Sequence, residues 1–201
     1  STQAKTLFPY TTLFRSVMLA IDEIRVDYPY TLTNRFRAIE IARISAQIDK
    51  WLALEKTRSP FAVTSRERTV EIELAELKIK LKIDRIDTLA DGRQIIIDYK
   101  TGKVEQKNLK LNTWEGLTND INNEKIIQIL TYAYMFKNEN PNDEIEAGII
   151  SFKNMKSGFM PFRFDNNDSI TEEILEKYQE QMIVLIKEIF NPEIPFEEKK
   201  V

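Results

Sequence analysis

Chemistry in this chain of 201 residues has to come from carboxylates, lysines and hydroxyls, because it holds neither cysteine nor histidine. Disulfides, Cys/His zinc sites, iron–sulfur clusters, thiol nucleophiles and histidine-based triads are thereby excluded within it. The stretch IIIDYKTGK, Ile95 to Lys103, stands out. Three consecutive isoleucines ask for a strand buried on both faces, yet Asp98 and Lys100 interrupt the apolar run. A buried charge is costly unless it is paired, hydrogen-bonded or bound to an ion. Side chains alternate along a strand, so Asp98 and Lys100 project from one face and Tyr99 from the other. A second interruption, LKIDRID (Leu81 to Asp87), lies just upstream across a turn at Asp91-Gly92. In the hairpin that this turn implies, Asp84 falls roughly opposite Asp98.

Two carboxylates and a lysine converging on one strand edge suit a magnesium site. Mg²⁺ prefers six oxygens at about 2.0–2.1 Å, typically one or two carboxylates with waters and substrate phosphate. Asp84 and Asp98 provide the anionic pair, and the main-chain carbonyl of Tyr99 can add an oxygen. An ion held there polarises a scissile phosphate and lowers the pKa of a bound water. Lys100 would orient that water or stabilise the charge growing on the phosphorus centre. The plain alternative is a strand-end salt bridge, Asp98 with Lys100, running into a Thr-Gly turn. Arg85 and Asp87 fall on the opposite strand face and read as a structural ion pair with each other or with neighbours.

Several elements must position these groups. From Thr33 to Lys56 apolar residues recur at Phe36, Ile39, Ile44, Ile48, Trp51 and Leu52, which predicts a long amphipathic helix capped by Thr33 or Asn34 and stopped at Ser59-Pro60. Phe61 to Leu74 and Glu76 to Thr88 alternate polar and apolar residues as antiparallel strands do. Ala90 to Arg93 makes a tight turn into a strand from Gln94 to Lys100. A polar loop containing Trp114 precedes a helix from Glu124 to Lys137, which the Pro141 segment ends. Glu146 to Lys153 and Phe159 to Phe164 form an expected hairpin around Lys156-Ser157-Gly158. The stripe Ile170, Ile174, Tyr178, Met182, Leu185 and Ile189 predicts a last helix that packs on the core and ends at Asn191-Pro192. The order is that of an α/β domain, a central mixed sheet flanked by helices. Gly102-Lys103 lacks the upstream Gly and following Ser or Thr of a phosphate-binding loop.

The composition, 42% hydrophobic and 30% charged with net charge −3, is that of one ordinary soluble domain. It decides nothing about nucleic acid, since a basic groove can coexist with an acidic exterior. No apolar run reaches bilayer-spanning length and no secretory segment opens the chain, so no membrane partner and a cytoplasmic location are expected. Residues 6–16, TLFPYTTLFRS, match codon for codon the translation of a common sequencing-library adapter. Ser1 to Ser16 are therefore set aside as an assembly artefact, and residues 17–201 are read as a domain truncated at its N-terminus.

IDRID, a short turn, IIIDYKTG and then a helix carrying Gln128 and Tyr132 in QILTY together resemble the PD-(D/E)XK nuclease superfamily in its RecB-like branch. The resemblance is closest to the C-terminal nuclease domain of AddB-like DNA repair proteins, whose lead-in WL-x-x-E-x-x-R-x-x-F-x-V-x-x-x-E is matched in register by Trp51, Glu55, Arg58, Phe61, Val63 and Glu67. It covers roughly Ile44 to Tyr134 by motif. It implies a restriction-endonuclease-like core, metal binding by Asp84 and Asp98, catalysis by Lys100, and Mg²⁺ or Mn²⁺ as cofactor. DNA is the implied substrate, exonucleolytic cutting the expectation, and a helicase subunit or helicase-like domain the implied partner. Gln128 and Tyr132, four apart on one helical face, match the family's Q-x-x-x-Y pair beside the active site; the other reading is a helix that merely packs. Glu67 could assist the metal or the DNA, or be a solvated strand residue. Lys78, Lys80 and Lys82 share a strand face with Asp84 and could steer a phosphate backbone, or serve only as a solvated face that guards an edge.

Two departures from the branch are visible. Leu81 stands where many RecB-like domains carry glycine, and the histidine that the branch commonly places on an upstream helix has no counterpart here. The competing readings are a catalytically silent DNA-binding or scaffolding module of a repair complex, and an unrelated α/β domain with a strand-end ion pair.

Overall fold

The structure, a computed structural model, describes residues 35–195. The expected helix caps Thr33 and Asn34, the Phe36 side chain and the adapter-like residues 1–16 lie outside the described residues. The chain divides into two compact units, residues 1–62 and 63–201. In the first, helix α1 (Arg35–Arg58) ends at the residue before Ser59-Pro60. Leu52 is buried, whereas Ile39 and Ile44 of the expected apolar stripe are exposed. At its end Arg58 bonds Glu55 Oε1 at 3.1 Å and lies 5.1 Å from the Phe61 ring centre. Glu55, Arg58 and Phe61 of the lead-in pattern thus form one contact cluster, which explains their three-residue spacing.

The second unit is built on a five-stranded sheet of β1 (Phe61–Leu74), β2 (Leu77–Leu89), β3 (Gln94–Lys100), β5 (Ile145–Ser151) and β6 (Phe159–Pro161), adjacent in that order. β3 pairs antiparallel with β2 and parallel with β5, and β5 pairs antiparallel with β6. The parallel pair requires a crossover, which contains α2 (Glu124–Glu139). A final helix, α3 (Glu172–Ile189), is capped by Thr171, whose side chain accepts from the Ile174 N–H. Helix α2 lies against β3, β5 and α3. Its buried residues Ile126, Ile129, Leu130, Ala133, Met135 and Phe136 join Ile86, Ile96, Ala147 and Ile149 of the sheet in one core. Ile95, Ile96 and Ile97 are all buried, as a strand covered on both faces demands.

The structure departs from the sequence expectation in three places. β2 begins at Leu77 because Ala75 and Glu76 form the turn, with φ of +50° and +66°. Two successive positive φ values are those of the primed hairpin turn, usually marked by Asn-Gly. The run from Phe159 to Phe164 is not one strand. The Phe162 side chain is fully buried and its N–H bonds the Ala147 carbonyl, after which β7 (Arg163–Phe164) leaves the main sheet to pair in parallel with β4 (Lys110–Leu111). The segment expected to be a polar loop also carries core: Val104, Leu109, Leu111 and Leu117 are buried, with short 3-10 turns at Gln106–Leu109 and Ile121–Asn123.

Candidate active site

The ladder between β2 and β3 runs from Thr88↔Gln94 to Arg85↔Ile97. The next positions outward are Asp84 and Asp98, where regular pairing stops. There the Asp84 side chain takes over from the backbone, its Oδ2 accepting the Tyr99 N–H at 2.9 Å. Within a strand a residue's N–H and C=O share one edge and those of the next residue the other. The Lys100 carbonyl accepts from the Phe152 N–H at 2.9 Å, toward β5, so the Tyr99 carbonyl faces the β2 side with Asp84.

Asp98 is 3% exposed. Its Oδ1 accepts from Gln128 Nε2 at 3.1 Å, and its Oδ2 lies 2.9 Å from Lys100 Nζ. That second contact sets the ammonium against the buried Oδ2 as an ion pair, so Lys100 serves both Gln128 and Asp98. Gln128 is the hub: its Oε1 accepts from Lys100 Nζ at 2.7 Å while its Nε2 also donates to the Tyr132 hydroxyl at 2.7 Å. Gln128 and Tyr132, one helical turn apart, therefore face the end of β3. Burial pushes the Asp98 carboxyl above the ordinary carboxylate range; Lys100 opposes this, the nearby Asp84 charge adds to it, and the Tyr132 hydroxyl opposes it. Burial likewise raises the Tyr132 hydroxyl, against the Gln128 hydrogen bond and with the two aspartates.

A buried carboxylate, beside a second carboxylate and a carbonyl, is a set of hard oxygen donors. Among the described residues no three acidic side chains cluster as a complete metal cage. The set instead suits an ion of the magnesium type, which keeps water and phosphate in its other positions.

The remaining sequence candidates stand apart from this network. Glu67, with φ of +50° in β1, is exposed and its carboxylate is bonded by Lys82 at 2.7 Å. Lys80 pairs with Glu71 at 2.7 Å, and Lys78, Lys80 and Lys82 are all exposed. The glutamates of β1 thus offset part of the positive charge that this face offers a phosphate.

Two features of the site escaped the sequence reading. Ser151, closing β5, is fully buried; its Oγ donates to the Gly102 carbonyl at 2.7 Å and accepts from the Val104 N–H at 3.2 Å, tying down the turn after Lys100. A lone serine ending the apolar run IEAGIIS is the one signal that could have found it. The other is the Tyr99 side chain, on the reverse face, whose hydroxyl accepts from Arg85 Nη1 at 2.8 Å. Arg85 also forks onto both Asp87 oxygens at 2.6 and 2.8 Å, the ion pair expected from the sequence.

The model of the PD-(D/E)XK nuclease superfamily matches residues 13–200. The chain belongs to that superfamily. No curated protein matches it. Among solved structures, one titled "Crystal structure of SSO0001" is similar at 16% identity and a TM-score of 0.30, over 96% of this chain and 88% of that one. That likeness is too distant to bear on the site.

Proposed function

We propose that this domain is a divalent-metal-dependent deoxyribonuclease of the RecB-like branch, nearest to the nuclease domain of AddB-like proteins, serving cytoplasmic helicase–nuclease DNA repair. The observation that carries the reading is the single hydrogen-bonded unit of Asp98, Lys100, Gln128 and Tyr132 at the end of β3, with Asp84 beside it. A structural strand-end ion pair needs no second carboxylate beside it.

Asp84, Asp98 and the Tyr99 carbonyl would hold Mg²⁺ or Mn²⁺. When bound, such an ion polarises the scissile phosphate and acidifies a water for attack. The protein's part is positioning and charge. Gln128 holds the Lys100 ammonium at the mouth of the site, where its side chain is 28% exposed. From there the ammonium can meet a phosphate oxygen and stabilise the negative charge that grows on it in the transition state. The Gln128 amide, bonded to Asp98 Oδ1, favours the ionised form that ligation requires. Lys100, which only donates, and the Asp98 carboxylate, which accepts, fix which way the amide is turned, and Tyr132 receives its remaining N–H.

The test is cleavage of labelled single- and double-stranded DNA, linear and circular, with Mg²⁺ or Mn²⁺ and with chelator, comparing the chain with Lys100→Ala. Metal-dependent cleavage that falls about 10²–10³-fold or more in the variant, and that needs free ends, is the expected result. No cleavage together with no metal binding would favour the silent DNA-binding module instead.

A further inference from the structure

We infer that Arg85, on the face of the sheet opposite the site, is a positioning residue that sets the metal-ligand groups by holding the Tyr99 side chain; this rests on the metal reading just given. Tyr99 lies between Asp98 and Lys100 and is bonded both at the β2 edge and on the reverse face. Its backbone N–H is on Asp84 and its carbonyl faces the same edge, while its ring stacks on Phe152, 5.7 Å between centres and 22° between planes. Its hydroxyl is held by Arg85, the residue next to Asp84 and the last one of β2 that pairs with β3.

The energetics point the same way. Arg85 is 6% exposed and Asp87 0%. A buried ion pair is weak as a stabiliser, because taking both charges out of water offsets most of their attraction, and apolar replacements of similar volume are often neutral or better. What this pair does instead is geometric. The two carboxylate oxygens of Asp87 fix the guanidinium plane, which leaves Nη1 aimed at the Tyr99 hydroxyl across the strand gap. On the β2 side the ladder ends at Arg85↔Ile97, while on the other side β5 pairs with Asp98, Tyr99 and Lys100 and fixes that edge. On the β2 edge the Asp84 bond, and on the reverse face the hydroxyl bond, bear on the remaining rotation of Tyr99 about the strand axis. That rotation decides whether Asp84, Asp98 and the Tyr99 carbonyl can reach one ion. Arg85 therefore acts on the ligands as an outer-shell partner does, through the orientation of the groups it supports.

The test is calorimetric titration of the whole chain with Mn²⁺ alone, run beside thermal melting, for the parent, Tyr99→Phe and the double variant Arg85→Met with Asp87→Leu. Tyr99→Phe keeps the ring and its stacking and removes only the acceptor; the double variant removes the donor while filling its space with apolar groups. Both are expected to bind Mn²⁺ about tenfold more weakly than the parent with a melting temperature close to its own. A folded Tyr99→Phe or double variant that binds Mn²⁺ as tightly as the parent would overturn the inference alone, since a purely structural role moves the melting temperature and not the affinity. A parent that gives no Mn²⁺ binding overturns the metal reading and this inference with it.

Discussion

Replacing Gln128 by leucine separates the electrostatic work of the hub from mere packing. Leucine fills similar space on α2 but loses the acceptor for Lys100 and the donors to Asp98 Oδ1 and Tyr132. A hydrogen bond to a buried charged group contributes about 1.5–3 kcal/mol, and in metal-free protein the bond to Asp98 does so only while that carboxyl is ionised. Burial already raises Asp98 above its unfolded value. The stability linked to its proton is therefore complete in acid and fades as pH rises through the folded value. Gln128 favours the ionised form, so removing it moves the folded value higher still. The losses at Lys100 and Tyr132 act at both ends of the pH range and cancel in the comparison. Urea unfolding of parent and variant in chelator, at about pH 3 and at neutral pH, should then give a deficit up to about 1.5–3 kcal/mol larger at neutral pH. With metal present, binding and cleavage should need a higher pH in the variant, because only the ionised carboxylate ligates. A deficit equal at both pH values, or larger in acid, would refute the assignment of Gln128 as the group that keeps Asp98 charged.

Two further outcomes probe the frame around the site. A Cβ at Gly148 would lie 2.2 Å from the Met160 carbonyl oxygen and 2.8 Å from the Pro161 Cα, both backbone, where β5 carries β6. Gly148→Ala should cost about 3 kcal/mol in denaturant unfolding, and a loss under about 0.5 kcal/mol, the range of substitutions that disturb nothing, would show that β6 is not anchored there. Glu105 is bonded by Lys103 at 2.6 Å and Lys107 at 2.9 Å, which hold its carboxyl down at about 2. What it lends to stability is present above its ordinary value of 4.5 and lost as pH falls through about 2; a carboxyl-carbon NMR titration with a midpoint near 4.5 would remove those contacts from the account.

The parts of the fold legible in the sequence are those where one local rule acts alone. β3 follows from three β-branched residues after a Gly turn, and the near opposition of Asp84 and Asp98 follows from counting outward from that turn. The turn at Ala75-Glu76 was illegible because neither residue carries the Gly or Asn signature of positive φ. The split at Phe162 depends on the Ala147 carbonyl and on a pairing with β4, contacts far apart in sequence that no period encodes. The buried leucines of the loop before α2 are spaced without any helix or strand period, so they look like linker until the tertiary fold collects them. At the site, spacing places Gln128 and Tyr132 on one helical face, but not that a single amide would serve Asp98, Lys100 and Tyr132 at once.

Asp98 and Lys100 could still be read as a strand-end salt bridge if their mutual contact were all that held them. The arrangement argues otherwise through the second carboxylate it places beside Asp98. A salt bridge selected for stability alone would not set a second carboxylate beside a buried one, since like charges repel more strongly where water is excluded. Here Lys100 is shared between Gln128 Oε1 and Asp98 Oδ2. Asp84, at the edge where the ladder ends, adds repulsion that raises Asp98 further. That repulsion would be relieved by a cation held by Asp84 and Asp98, which is the physical argument for the metal reading proposed for the site.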